Sequence, residues 1–461
     1  MPPLPLLDRR ARTWLIAIIG VGAVLRILWA TQAQQPQELR DPALYLVLGD
    51  QLANGEGYSY PGSAGGVTAY YPPGFPLFVG GLLGLLRLLP GDLTVFGVAI
   101  AANVVVSVAT IPLVFALARR LSDARVALVA AGVWALWPNL VFHSGIVLTE
   151  TLFLFLLVLM LLVLLPTPEL ARYPGVWRLV ATGALFGLSA LVRPVSLVIA
   201  PLFLVLWWPA GVGRALRNLA VVGVATVAVI VPWTIRNAIT MDSPILLSAN
   251  LGDNLCIGNN PQANGAFSLD PAHPCFAGIE PAPRPEIEVR RQSETLDRAF
   301  TFIRENPGDF VGLVPDRARF TLREDHDGLD VAGDFGTDPL FDRDTENLLG
   351  RIADDYYYAV GALAVVGLGV GVAVGLARDR RWLLLVLTAP VQLVSPLVTF
   401  GDPRFKMPIY PTLALLAAVA LVGVWRLRRR NGQDEDRDEE GGRTGASRPV
   451  PPEVAETVAV S

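Results

Sequence analysis

Carboxylates and arginines interrupt an otherwise apolar chain at few places, and those places limit the chemistry it can do. Asp41, Asp50 and Glu56 fall in the polar stretch after the first apolar run. Glu150, Arg193 and Arg236 each stand at the end of a later run, and Arg404 lies in the short segment Thr399-Phe-Gly-Asp-Pro-Arg404-Phe. A carboxylate can take the proton of an attacking hydroxyl. A guanidinium binds phosphate oxygens through a planar fork. The mixture therefore suits a reaction on an anionic, membrane-borne substrate. Structural readings compete at each position. Asp41 before Pro42 also reads as a helix N-cap with proline at the first helical position. Glu150 and Arg193 also read as span-end residues facing headgroups, Tyr70 and Tyr71 as aromatic-belt residues, and Asn259-Asn260-Pro261 as an ordinary turn. His143, His273 and His326 are too scattered for metal-ligand spacing.

The elements that must position these groups follow from the apolar mass. Of 461 residues 52% are hydrophobic and 17% charged, against roughly 25% charged in soluble domains. About ten spans of roughly 20 residues each would use that apolar excess. A soluble enzyme, a disordered chain and a nucleic-acid binder are excluded, the last also by a net charge of −4. Apolar runs occupy 13–30, 94–118, 125–143, 146–165, 177–192, 194–208, 218–235, 357–377, 382–399 and 407–425. The first reads as a retained anchor rather than a cleaved leader.

A further run, Pro73 to Leu89, is glycine-rich, begins with two prolines and carries Arg87. If it does not cross, the clusters at Arg119-Arg120, Arg172 and Arg178, Arg214 and Arg217, Arg378 to Arg381, and Arg426 to Arg430 all fall on the side of Arg9, Arg10 and Arg12. That satisfies the positive-inside rule, and crossing would violate it repeatedly. The expectation is thus an all-α polytopic protein of the cytoplasmic membrane, with ten transmembrane helices and both termini cytoplasmic. Residues 1–235 form an N-terminal transmembrane module with its first external loop at 31–93. An irregular external region covers 236–356, further helices 357–430, and a disordered cytoplasmic tail 431–461. Only Cys256 and Cys275 occur, both in the external region. They could bridge in an oxidising compartment or remain two thiols.

Several stretches, in order, resemble the GT-C glycosyltransferases, the polyprenyl-phosphate-sugar-dependent enzymes that include protein O-mannosyltransferases and the lipid A aminoarabinose transferase. They are Leu39-Arg-Asp41-Pro-Ala-Leu-Tyr45, Gly55-Glu-Gly57-Tyr58, Ala69-Tyr-Tyr-Pro-Pro-Gly-Phe-Pro76, Leu148-Thr-Glu150, Leu191-Val-Arg193-Pro194, Arg236-Asn237, Asn250 to Pro261, and Gly401-Asp-Pro-Arg404-Phe-Lys-Met-Pro408. The resemblance implies a GT-C fold with interfacial helices in the first external loop. It also implies inverting transfer of a sugar from a polyprenyl-phosphate donor to an extracytoplasmic glycan, lipid or protein. Asp41 matches the family's catalytic base, and Arg193 and Arg404 suit the growing charge on the leaving phosphate. Tyr45, Asp50, Tyr70, Tyr71, Glu150 and Asn259 are the other expected substrate contacts. Pro42 stands where many relatives carry a second acidic residue, so Asp50 or Glu150 would have to substitute. A divalent cation is compatible with the sequence but not required by it. The rival functions are a flippase for a lipid-linked sugar and a non-catalytic membrane scaffold.

Overall fold

The computed structural model describes residues 8–62, 65–268, 273–334 and 339–424. The tail expected at 431–461 and the last arginine cluster lie outside the described residues. Six helices here are long and apolar enough to cross a membrane: Arg9–Ala30, Val95–Leu121, Val212–Thr240, Arg343–Ala373, Arg380–Val398 and Pro403–Val424. A seventh candidate is broken, with Ala124–Leu136 and Pro138–Gly145 meeting at 59°. Proline supplies no N–H and disfavours helical backbone in the residue before it, and Trp137 is accordingly extended, with ψ of 111°.

Three more expected spans form the shorter helices Glu150–Leu164, Val176–Val192 and Pro194–Ala210. Glu150–Leu164 has 15 residues, about 22 Å at 1.5 Å per residue, short of a ~30 Å hydrocarbon core. Pro194 and Pro201 tighten Pro194–Leu202 into a 3₁₀ helix. Each of the ten expected runs carries helix, and four of them are short or broken. The all-α polytopic class stands.

Gly74–Leu86 has only 13 residues, about 20 Å, and so does not span by itself. It packs along Asp41–Asn54, within residues 31–93. A Cβ at Gly80 would lie 2.4 Å from the Gly49 carbonyl oxygen, so this hairpin closes only with glycine there. The same device joins Val176–Val192 to Val212–Thr240, where a Cβ on Gly183 would lie 2.4 Å from the Val222 oxygen. Small residues that let helix backbones approach are the usual means of packing in lipid.

Arg26, inside the N-terminal helix, is fully buried. Its Nε donates to Ser107 Oγ at 2.7 Å and its Nη1 to the Ala135 oxygen at 2.9 Å. A charge at such depth is tolerated because its donors are engaged, and it ties three helices together.

The region 236–356 is built largely of short helices. Leu251–Gly258 packs on Glu286–Glu305, and a disulfide joins Cys256 to Cys275 with Cα atoms 5.8 Å apart. Glu288 ties this region to the first loop by accepting from Thr68 Oγ1 at 2.5 Å and Ala69 N at 2.9 Å. Arg236 braces the same loop, donating to the Thr68 and Tyr58 oxygens at 2.6 and 2.8 Å.

Candidate active site

Asp41 opens the helix Asp41–Asn54, with Arg40 rather than Asp41 at the N-cap and Pro42 following. The carboxylate therefore does not cap its own helix. Its Oδ1 accepts from the Tyr71 hydroxyl at 2.6 Å, its Oδ2 lies 4.0 Å from Arg404 Nη1, and it keeps 41% of its side-chain surface exposed. Burial, reinforced by the Asp41 charge, pushes the Tyr71 hydroxyl far above its ordinary range. Tyr71 is thus a fixed donor that orients the carboxylate.

Arg404 is held from the other side. Asp402 caps the 3₁₀ helix Pro403–Ile409 and accepts from Arg404 Nε at 3.2 Å and Nη2 at 3.3 Å. Two residues on, Lys406, the one lysine in the chain, lies 3.0 Å from Asp325 Oδ1 with both side chains fully buried. Asp325 also accepts from Trp137 Nε1 at 2.7 Å and from the Tyr410 hydroxyl. Such a pair is sustainable only with its remaining lone pairs satisfied. It pins the Arg404 helix to the external region and to the break at Trp137.

Glu150 is the first residue of its helix and almost fully buried, a position where the helix dipole favours negative charge. It forms an ion pair with Arg193, which also donates to Thr149 Oγ1 at 3.4 Å and lies 5.5 Å from the centre of the Phe405 ring. Tyr45 is buried edge-on against Tyr71, with ring centres 5.1 Å apart.

Asp41, Tyr45, Tyr70, Tyr71, Glu150, Arg193 and Arg404 all line one cavity of about 790 Å³. The remaining wall is partly apolar, from Leu148, Val192, Ile245 and Leu247, and partly amide-bearing, from Asn254, Gln292 and Gln392. Two expected contacts lie elsewhere. Asp50 bonds to Arg87 at 2.9 Å outside the cavity; nine residues from Asp41 on one helix, it faces the opposite side. Asn259 is fully buried and structural. It donates to the Leu255 and Val398 oxygens and accepts from Arg317 at 2.9 Å, joining the external region to the segment before Arg404.

Sequence reasoning missed Asp253, Asp402 and Gln392. Asp253 is buried and takes the Tyr70 hydroxyl at 2.8 Å and Arg291 Nη2 at 2.8 Å, fixing the ring that lines the cavity. Asp253 and Asp402 sit inside stretches quoted above, and Gln392 is a lone amide in the apolar run 382–399. Among the described residues no group of three or more His, Cys, Asp or Glu could hold a metal ion. Neither Asp50 nor Glu150 stands beside Asp41 as a free second carboxylate, the one being outside the cavity and the other paired with Arg193.

The chain is all-α, with the loop that carries Asp41 tied to the region 236–356. Residues 72–235 match the sequence model of the family described as dolichyl-phosphate-mannose-protein mannosyltransferase. The fold is shared with the oligosaccharyltransferase of Archaeoglobus fulgidus in its apo form, at a TM-score of 0.54 and 17% identity over 93% of this chain and 52% of that one. AglB from the same organism, in complex with an inhibitory peptide and a dolichol-phosphate, gives 0.52 at 18% identity, with the same coverage of 93% and 52%. This chain thus spans about half the length of those relatives. ArnT from Cupriavidus metallidurans in the apo state is similar at 15% identity over 89% of this chain and 78% of that one, with a TM-score of 0.41. No curated protein sequence matches the chain.

Proposed function

We propose that this protein is a membrane glycosyltransferase that moves a sugar from a polyprenyl-phosphate donor to an acceptor outside the cytoplasmic membrane, with inversion. The carrying observation is the convergence of Asp41, Arg404 and the Glu150–Arg193 pair, from four separate parts of the chain, on one cavity. Asp41 takes the acceptor hydroxyl proton as the oxygen attacks the anomeric carbon. The bond from that carbon to the phosphate oxygen breaks, and lipid phosphate carries away the electron pair. Phosphate is a good leaving group, so donors that meet its growing charge matter more than a general acid. In-line displacement sets base and leaving phosphate oxygen at most roughly 7.5 Å apart, from a ~2.8 Å hydrogen bond, a ~3.3 Å approach and a breaking bond of about 1.4 Å. Arg404, 4.0 Å from Asp41, is placed to meet a phosphate at that range, with Arg193 as second donor.

The fold's relatives support the donor class. AglB was solved with a dolichol-phosphate, and the matched family is described by dolichyl-phosphate-mannose. The arginines support the orientation. Arg120, Arg178, Arg380 and Arg381 gather where helices end and donate to the Leu162, Val163, Val205 and Pro166 oxygens. Such a cationic end reads as the cytoplasmic face, with the cavity on the other.

The test is Asp41→Asn in purified protein, assayed for lipid-phosphate release from a panel of polyprenyl-phosphate sugars. A loss of about 10²-fold or more is expected with an unchanged melting temperature. A well-folded variant with full activity would sink the base assignment.

A further inference from the structure

Gln392 is the last residue of the helix Arg380–Gln392 and lines the cavity. Its side chain is 1% exposed, yet neither Oε1 nor Nε2 has a hydrogen-bond partner among the described residues. A buried primary amide with neither end engaged destabilises a folded protein, and most such groups in native structures are paired. Polar groups at membrane depth are likewise costly and tend to be functional. Gln392 lies on a wall shared by Ser395 and Thr399, one and two helical turns further on, both of which also line the cavity. The Thr399 hydroxyl donates to the Ser395 carbonyl oxygen at 2.9 Å, so its oxygen retains capacity to accept.

The chemistry of the amide narrows its ligand. Glutamine offers two donor hydrogens and one acceptor oxygen side by side. A phosphate ester only accepts, so it would satisfy Nε2 and repel Oε1, and a lipid chain would satisfy neither. A hydroxyl both donates and accepts, and a sugar carries several in reach of one another. We propose that Gln392 binds hydroxyls of the transferred sugar. The inference rests on the glycosyltransferase reading above and adds a sugar subsite to it.

Full-length wild type and Gln392→Leu, in lipid nanodiscs, are titrated with bare undecaprenyl phosphate and with its mannose, glucose, galactose and 4-amino-arabinose esters. In the wild type at least one sugar ester should bind more tightly than the bare lipid. Gln392→Leu should lose about ten-fold in affinity for that ester while holding bare lipid phosphate as before. Its melting temperature without ligand should hold or rise, because an unpartnered amide has been removed. Equal weakening of ester and bare lipid, or no change in either, overturns the inference. Failure of every lipid to bind the wild type overturns the donor reading itself, a distinguishable result.

Discussion

Replacing Glu150 with Gln tests the electrostatics of the cavity most directly. Among the described residues Asp41, Glu150 and Asp402 form ion pairs with Arg193 and Arg404 alone, so these groups carry one excess negative charge before any phosphate arrives. Glu150 is nearly shielded from solvent, and Arg193 stands between it and the cavity with 15% of its side chain exposed. An anion bound to the far edge of that guanidinium would lie roughly 8 Å from the Glu150 carboxylate. Removing a unit charge at that separation, in an effective dielectric of about 20 to 40, is worth roughly 1–2 kcal/mol. Glu150→Gln keeps the shape and an acceptor for Arg193. It should therefore tighten bare undecaprenyl phosphate by about 5- to 30-fold and slow release of that product. Titration in nanodiscs at 0.05 and 0.3 M salt measures the effect, which should shrink at the higher salt. A folded variant whose affinity is unchanged or weaker would refute the assignment of Arg193 to the phosphate.

Tyr71→Phe removes the 2.6 Å bond to Asp41 and should lower kcat about 5- to 10-fold with little change in KM, read by steady-state lipid-phosphate release. A KM effect alone would mean that Tyr71 binds substrate instead of orienting the base. Cys256→Ser opens a bridge between residues 19 apart in sequence, for which loop-closure entropy gives about 3 kcal/mol; wild type with reductant and the variant without it should melt at the same lowered temperature. Stability should also depend on His326. Burial pulls its pKa down, but the bond to Asp354 at 2.9 Å and the charges of Asp330 and Asp354 more than offset this and leave it raised. A raised folded value stabilises below the unfolded value near 6.5 and loses that contribution as pH rises through the folded one. Melting temperature should therefore decline on the alkaline side of about pH 6.5, and Asp354→Asn should flatten that decline; an unaltered profile would remove the link.

The sequence by itself determined where the helices lie and what kind of solvent they need. Apolar runs punctuated by proline and arginine require helix in lipid, because every backbone group must be paired within the segment. The ten runs read from composition carry helix, and the breaks fall at Pro138, Pro194 and Pro201. The spacing of Asp41 and Asp50 already placed them on opposite faces of one helix, a signal that the motif resemblance obscured. Gln392 too was legible as a lone amide in an apolar run.

Only the tertiary structure decided which charges meet. Asp41 and Arg404 stand 363 positions apart in the numbering, yet their side chains are 4.0 Å apart, and no local pattern encodes that. It depends on Lys406 with Asp325 and on Arg317 with Asn259, buried contacts that seat the segment around Arg404 against the rest. Asn259 looked like a substrate contact because a buried structural amide and a binding amide have the same sequence. The pairing of Cys256 with Cys275 was open for the same reason: two thiols bridge only if packing brings their Cα atoms within reach, and the packing of Leu251–Gly258 on Glu286–Glu305 does so. Residue types supplied the acids, arginines and amides; long-range packing chose which of them face the cavity and which hold it in shape.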